Sequence, residues 1–218
     1  MRGERPRDAG VLEALTVIRS YRAAHQYSLA KATMGLRSAV KTEDCRVEVS
    51  QRLKRLVTIL DKVTREPTMA LANMHDIGGC RAVVDSVDEL RRVEHRIRKN
   101  RTPIRVADYI SSPRTSGYRG VHVVVTYLDR SGQDRAIEVQ LRTRTMHEWA
   151  ISVERLSGRL KEDLKSGSGP IELLDLLSAI SEAMAIEEQG GVVSADLLER
   201  MRVLRVRAVP YLNGGANR

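Results

Sequence analysis

The chain has 218 residues, 42% hydrophobic and 30% charged, a balance that suits one soluble domain with some terminal decoration. No run approaches the roughly 18 apolar residues of a membrane span, and Met1 to Gly10 is too polar for a secretory signal, so a cytoplasmic protein without membrane contact is expected. The formal net charge of +9, from 37 Lys plus Arg against 28 Asp plus Glu, suits a polyanionic ligand such as nucleotide phosphates or nucleic acid.

Spacings of three and four predict a helix over Val11 to Ala24, on Leu12, Leu15, Ile18 and Arg19, and a second over Ser28 to Val40. A third is predicted over Arg46 to Val63, with Val49, Leu53, Leu56, Val57 and Leu60 as its apolar stripe and Pro67 closing it. The pattern then turns to strands. Cys80 to Val84 is a β-rich run after Gly78-Gly79, Asp88 to Lys99 reads as a helix, and Ile104 to Ala107 as a strand entering the loop Ser111 to Gly117. Val121 to Leu128 and Arg135 to Arg142 form a predicted hairpin across Ser131-Gly132. Thr143 to Leu160, Ile171 to Gln189 and Ser194 to Arg207 close the chain as helices, with Ser194 as an N-cap and Lys165 to Pro170 as a short linker. Cys45 and Cys80 have no metal-ligand or disulfide-framework spacing and are expected as two buried thiols. With no Phe and only Trp149 among tryptophans, an aliphatic core must carry stability.

Three segments cluster polar residues at strand edges, where a sheet presents a site. The first, His75 to Arg81, puts an acid before a glycine pair and an arginine on a strand. The second runs from Asp108-Tyr109-Ile110 to Ser116-Gly117-Tyr118-Arg119-Gly120-Val121-His122, and its Tyr-Arg pair after a glycine loop suits phosphate capture and base stacking. In the third, Ile137 to Thr143, the polar residues Glu138, Gln140 and Arg142 alternate and so share one face, which either meets solvent or lines a polar pocket.

Together the three resemble the synthetase domain of RelA/SpoT-type alarmone synthetases. Asp76-Ile-Gly-Gly-Cys-Arg81 resembles that family's D-I-x-G-x-R motif. Asp108-Tyr-Ile-Ser-Ser-Pro-Arg114 with Gly117-Tyr-Arg-Gly-Val-His122 resembles its D-Y-I-x-x-P-K and G-Y-x-S-x-H loop. Glu138-Val-Gln-Leu-Arg142-Thr143 resembles E-x-Q-[IL]-R-T, and Trp149-Ala150 follows at the family's position. The likeness covers about Arg46 to Glu154. It implies an α/β (α+β) fold: a mixed sheet of about five strands flanked by helices, nucleotidyltransferase-like. The implied organisation is an N-terminal helical extension over 1–45, a synthetase core over 46–165 and C-terminal helices over 170–208 that pack or oligomerise.

The resemblance also implies the chemistry. Asp76 and Glu138 would be catalytic and would hold Mg²⁺ against ATP, since hard cations prefer carboxylate oxygens. Glu138 would accept the proton of a ribose 3′-hydroxyl attacking the β-phosphorus. Arg52, Lys54, Arg55, Arg81 and Arg142 would neutralise the donor's phosphates. Tyr118 would stack on the acceptor base, while Arg114, Arg119, His122 and Gln140 would hold the rest of the acceptor. The implied partners are an ATP donor, a GTP or GDP acceptor and further copies of the chain, as in the homotetramers of related small synthetases. His75-Asp76 also reads as the HD dipeptide of the hydrolase domain in long members, but only His25 precedes it among histidines, so no hydrolase is expected.

After the tryptophan, the small synthetases' Leu-Glu-His is here Val153-Glu154-Arg155, and a Lys-Tyr-Lys pattern is replaced by Leu156-Ser157-Gly158-Arg159. The acceptor therefore stays open between a guanosine nucleotide and the 3′ end of tRNA, for which Arg200, Arg202, Arg205 and Arg207 would offer a basic helix. A non-catalytic nucleotide or RNA-binding module on the same fold would predict loss of Asp76 or Glu138, and both are present.

Overall fold

The computed structural model describes residues 6–66 and 68–213. Six α-helices and five strands follow in the order α1 (Pro6–Thr42), β1 (Glu48–Leu53), α2 (Leu56–Arg65), β2 (Gly78–Val84), α3 (Val87–Asn100), β3 (Arg105–Asp108), β4 (Val121–Leu128), β5 (Asp134–Thr143), α4 (Arg144–Leu160), α5 (Ile171–Glu188) and α6 (Ala195–Asn213). The strands form one mixed sheet in the order β1-β2-β5-β4-β3, with helices against it.

Two predicted helices are one. α1 runs unbroken for 37 residues, because His25 and Ser28, at the junction of the two predicted helices, are buried and satisfied. His25 Nδ1 lies 2.8 Å from the Tyr21 carbonyl, and Ser28 Oγ donates to the Tyr127 carbonyl at 3.0 Å. His25, Leu29, Ala32, Leu36 and Ala39 then continue a single buried stripe at helical spacing.

The predicted helix over Arg46 to Val63 is a strand followed by a helix. β1 takes an edge of the sheet beside β2 and keeps much of its length exposed, so its polar residues give no buried alternation. Its pairing with β2 and its contact with α1 override the local helical spacing. α2 buries Ile59 with Met74 and Ile77. Pro67, expected to close that helix, lies outside the described residues, as do the first five residues.

The inner strands agree with their patterns. β2 buries Cys80, Ala82 and Val84, β4 buries Val121, Val123 and Val125, and β5 buries Ile137, Val139 and Leu141. At the turn between β4 and β5, Asp129 accepts the Ser131 and Gln133 amides and pairs with Arg135 at 2.8 Å. Thr143 caps α4 by accepting the Met146 amide, and Ser194 caps α6 by accepting the Leu197 amide. α6 runs past the expected end at Arg207 because Leu204 and Ala208 stay buried.

The chain divides into two compact units whose borders cut β2, β4 and β5. The first comprises residues 1–82, 92–106 and 122–140, the second 83–91, 107–121 and 141–218. In the second unit Tyr118, Trp149, Leu164, Leu173 and Leu177 form the core, and α5 is buried on most of its circumference. Cys80 is buried, and burial pushes its thiol up to about 12; Cys45, expected buried, is half-buried. Among the described residues no helix is long and apolar enough to cross a membrane.

Candidate active site

In the first unit, polar groups gather at the starts of β2 and β4, along β5 and at the end of β1. The Lys54 amide donates to the Ile77 carbonyl at 2.8 Å, which fixes the end of β1 against the turn carrying Asp76. Lys54 Nζ donates to Asp76 Oδ2 at 2.6 Å, and Lys62 Nζ stands 3.6 Å from Asp76 Oδ1, itself buried and accepting no hydrogen bond. Arg22 Nε donates to the Lys54 carbonyl at 2.7 Å and holds this corner from α1.

β5 lies beside β2. A Cβ on Gly79 would meet the Glu138 carbonyl at 3.5 Å, so Glu138 is level with the segment that follows Asp76. Its carboxylate is held at both oxygens: His122 Nδ1 is 3.0 Å from Oε1, and Gln140 Nε2 donates to Oε2 at 2.5 Å. The alternation seen in the sequence is thus a polar face carrying an oriented acid. Arg81 is half-buried on β2; Arg52 and Arg55 are exposed, on β1 and just beyond it rather than on a helix.

In the second unit, the loop after β3 is folded by its own hydrogen bonds. Asp108 accepts the Ile110 and Ser111 amides and pairs with Arg91 at 2.8 Å. Although burial opposes it, these bonds from Ser111, Arg91 and Ile110 hold its carboxyl below the usual range. Arg114 Nη2 donates to the Tyr109 hydroxyl at 2.9 Å and lies 4.6 Å from that ring's centre.

Tyr118, expected to stack on the acceptor base, is 0% exposed. Positive φ at Gly117 and Gly120 turns the loop inward, so the ring packs near Tyr109 and Trp149. Arg142, also buried, donates from Nε to the Tyr118 hydroxyl at 3.1 Å. Arg114, Arg142 and Lys165 all lie within 5.7 Å of that ring's centre. Arg119, expected on acceptor phosphates, is 8% exposed and faces Glu188 at 3.5 Å; burial lowers its pKa, and the Glu188 charge acts against that. Trp149 is a core residue whose Nε1 donates to the Leu177 carbonyl at 3.2 Å.

Residues 51–156 match the family described as the region found in RelA / SpoT proteins. GTP pyrophosphokinase YjbM of Bacillus subtilis is 31% identical over 162 residues, which cover 69% of this chain and 73% of that protein. The chain belongs to the RelA/SpoT family. GTP pyrophosphokinase of Escherichia coli is 25% identical over 169 residues, 77% of this chain but only 22% of that longer protein. The crystal structure of small alarmone synthetase 1 from Bacillus subtilis bound to its product pppGpp aligns with a TM-score of 0.67 at 25% identity, covering 88% of this chain and 97% of that one.

No RelA/SpoT motif quoted from the sequence contains Lys62 or Lys165, yet each brings a cation to a motif residue. Lys62 faces Asp76 from α2, while Lys54 reaches the same carboxylate from the end of β1, a convergence that no spacing in the sequence marks. Lys165 stands at the start of the stretch read as a linker, within a 3₁₀ turn over Leu164–Ser166; it pairs with Glu154 at 2.9 Å and lies 4.9 Å from the Tyr118 ring centre.

Proposed function

We propose that this chain transfers pyrophosphate from ATP to the ribose 3′-hydroxyl of GTP or GDP, forming (p)ppGpp and AMP. The observation that carries the reading is the carboxylate of Glu138, oriented by His122 and Gln140 on the strand beside the Asp76 turn. Family membership and the pyrophosphokinase names of the relatives point the same way.

The step balances with the residues available. The acceptor's 3′-oxygen bonds to the β-phosphorus, the bond between that phosphorus and the oxygen bridging to the α-phosphorus breaks, and AMP leaves with the bridging oxygen. The 3′-hydroxyl proton passes to Glu138, whose carboxylate His122 and Gln140 orient. Lys54, Arg81 and the exposed Arg52 and Arg55 offset phosphate charge in the first unit. In the second, Arg114 lies 5.7 Å from the ring centre of Tyr118 on the loop assigned to the acceptor, while Arg142, expected on the donor's phosphates, is buried on β5 and donates to the Tyr118 hydroxyl.

A divalent cation fits the donor set. Asp76 keeps a buried carboxylate oxygen that accepts no hydrogen bond, and Glu138 offers a second hard ligand. Mg²⁺ held by these two would supply charge neutralisation on the ATP phosphates. A guanosine acceptor is favoured over tRNA because Arg200 and Arg202 of α6 pair with Glu182 and Glu199, which draws down the charge an RNA backbone would need. Self-association is part of the proposal; exposed Val11, Leu12 and Val17 on α1 offer apolar surface for it.

The test offers ATP labelled at the γ-phosphate, with Mg²⁺, to GTP, GDP and deacylated tRNA in parallel. Label is expected on the guanosine nucleotide. Glu138→Gln should lower transfer by about 10²-fold or more while ATP binding, read by calorimetry, is kept. A fully active Gln variant would remove Glu138 from its role, and label on tRNA alone would overturn the acceptor.

A further inference from the structure

We propose that Ser181 and Glu188 of α5 are positioning residues for the acceptor loop, holding the peptide from Ser116 to Gly120 in its working shape; the inference rests on the reading of that loop given above. Four observations within the second unit converge on it.

The loop lies against the backbone of α5. Gly117 has φ +85°, and a Cβ there would sit 2.8 Å from Ser178 Cα and 2.9 Å from Ser181 Cβ, distances real side chains do not tolerate. At that contact Ser181 Oγ donates to the Gly117 carbonyl at 2.6 Å. Ser181 is buried on a helix whose neighbouring buried positions are Leu177, Ala179 and Ala183, so its hydroxyl is out of place unless it serves that carbonyl.

Two turns further along the same face stands Glu188. Its side chain is 7% exposed and neither carboxylate oxygen accepts a hydrogen bond; the charge opposite is Arg119 at 3.5 Å, itself 9% exposed. A carboxylate buried in this way needs a cation beside it, and the loop supplies one. Ser116 Oγ adds a third tether, donating to the Lys165 carbonyl at 3.0 Å. The helix therefore grips the loop at Gly117 and at Arg119, the two residues that flank Tyr118.

This assignment and direct phosphate binding by Arg119 predict opposite signs. If Arg119 served the acceptor's phosphates, removing the Glu188 charge would release a cation and lower the KM for GTP. If Glu188 positions the loop, the same change raises it.

The experiment uses the full chain with Ser181→Ala, Glu188→Gln and the double variant Arg119→Gln/Glu188→Gln, which removes both buried charges and so guards against simple unfolding. Amide hydrogen exchange over residues 109–121 and the KM values for GTP and ATP are measured on each. Exchange in the loop should rise about tenfold in all three, with α4 unchanged, and the KM for GTP should rise about five- to tenfold while that for ATP stays within about twofold. Unaltered loop exchange, a lower KM for GTP in Glu188→Gln, or equal rises for both nucleotides would overturn the proposal. If the unsubstituted chain transfers nothing to GTP, the functional reading fails while hydrogen exchange still decides the tether.

Discussion

Replacing Tyr118 separates two roles that its motif leaves together. The ring is 0% exposed and its hydroxyl accepts a hydrogen bond from Arg142, a guanidinium that is itself 1% exposed. Tyr118→Phe keeps the ring and removes that acceptor from a charged donor, a loss of about 2 kcal/mol. Tyr118→Ala also empties the ring's volume among Tyr109, Trp149 and Leu164, for a total of about 4 kcal/mol. In a chain of this size 1 kcal/mol moves Tm by about 3 °C, so the expected falls are about 6 °C and about 12 °C. Thermal unfolding followed by circular dichroism reads both, with KM for GTP and ATP measured below the transition. A ring that must also meet the acceptor base predicts that Tyr118→Ala weakens GTP more than ATP. Should Tyr118→Ala weaken GTP while leaving Tm within about 2 °C, the ring would not belong to the core, and its packing as described would be refuted.

Cysteine labelling tests the burial assignments directly. Cys45 should react with a thiol reagent at pH 8 in the native protein, whereas Cys80, whose thiol is pushed up to about 12 by burial, should react only after unfolding in urea; two rapidly labelled thiols in the native state would contradict it. His25 is 1% exposed and its pKa lies below the usual value, chiefly through burial. The unfolded chain then takes up the proton first, so stability should fall as pH drops below about 6.5, and His25→Gln should flatten that fall in urea midpoints. Gly117→Ala has no room for its methyl group beside Ser178 and Ser181 and demands a left-handed backbone, so it should cost about 2 kcal/mol or more by urea unfolding. A neutral result would mean that the loop does not touch α5.

What could be read without the structure was whatever repeats at short range. The β-branched run of Val121 to Leu128 marked β4, and alternation marked β5 and placed Glu138, Gln140 and Arg142 on one face, since strand geometry alone decides which side chains point together. The three motifs pointed to Asp76, Glu138 and the loop around Tyr118 through their resemblance to the RelA/SpoT synthetases. β1 was not legible: an edge strand with one paired side and polar residues carries no periodic signal, and only pairing with β2 chooses strand over helix. Nor was the fate of Tyr118 and Arg119. Both stand in a loop of small and polar residues that locally resembles an exposed turn. Glycines with positive φ fold it inward, and Ser181 and Glu188, more than sixty residues away in the chain, hold it there. The sequence by itself determined the secondary elements with regular patterns and the chemical identity of the candidate site. Tertiary structure alone decided which of those side chains are buried and whom they face, because burial and charge pairing depend on segments that no local window contains.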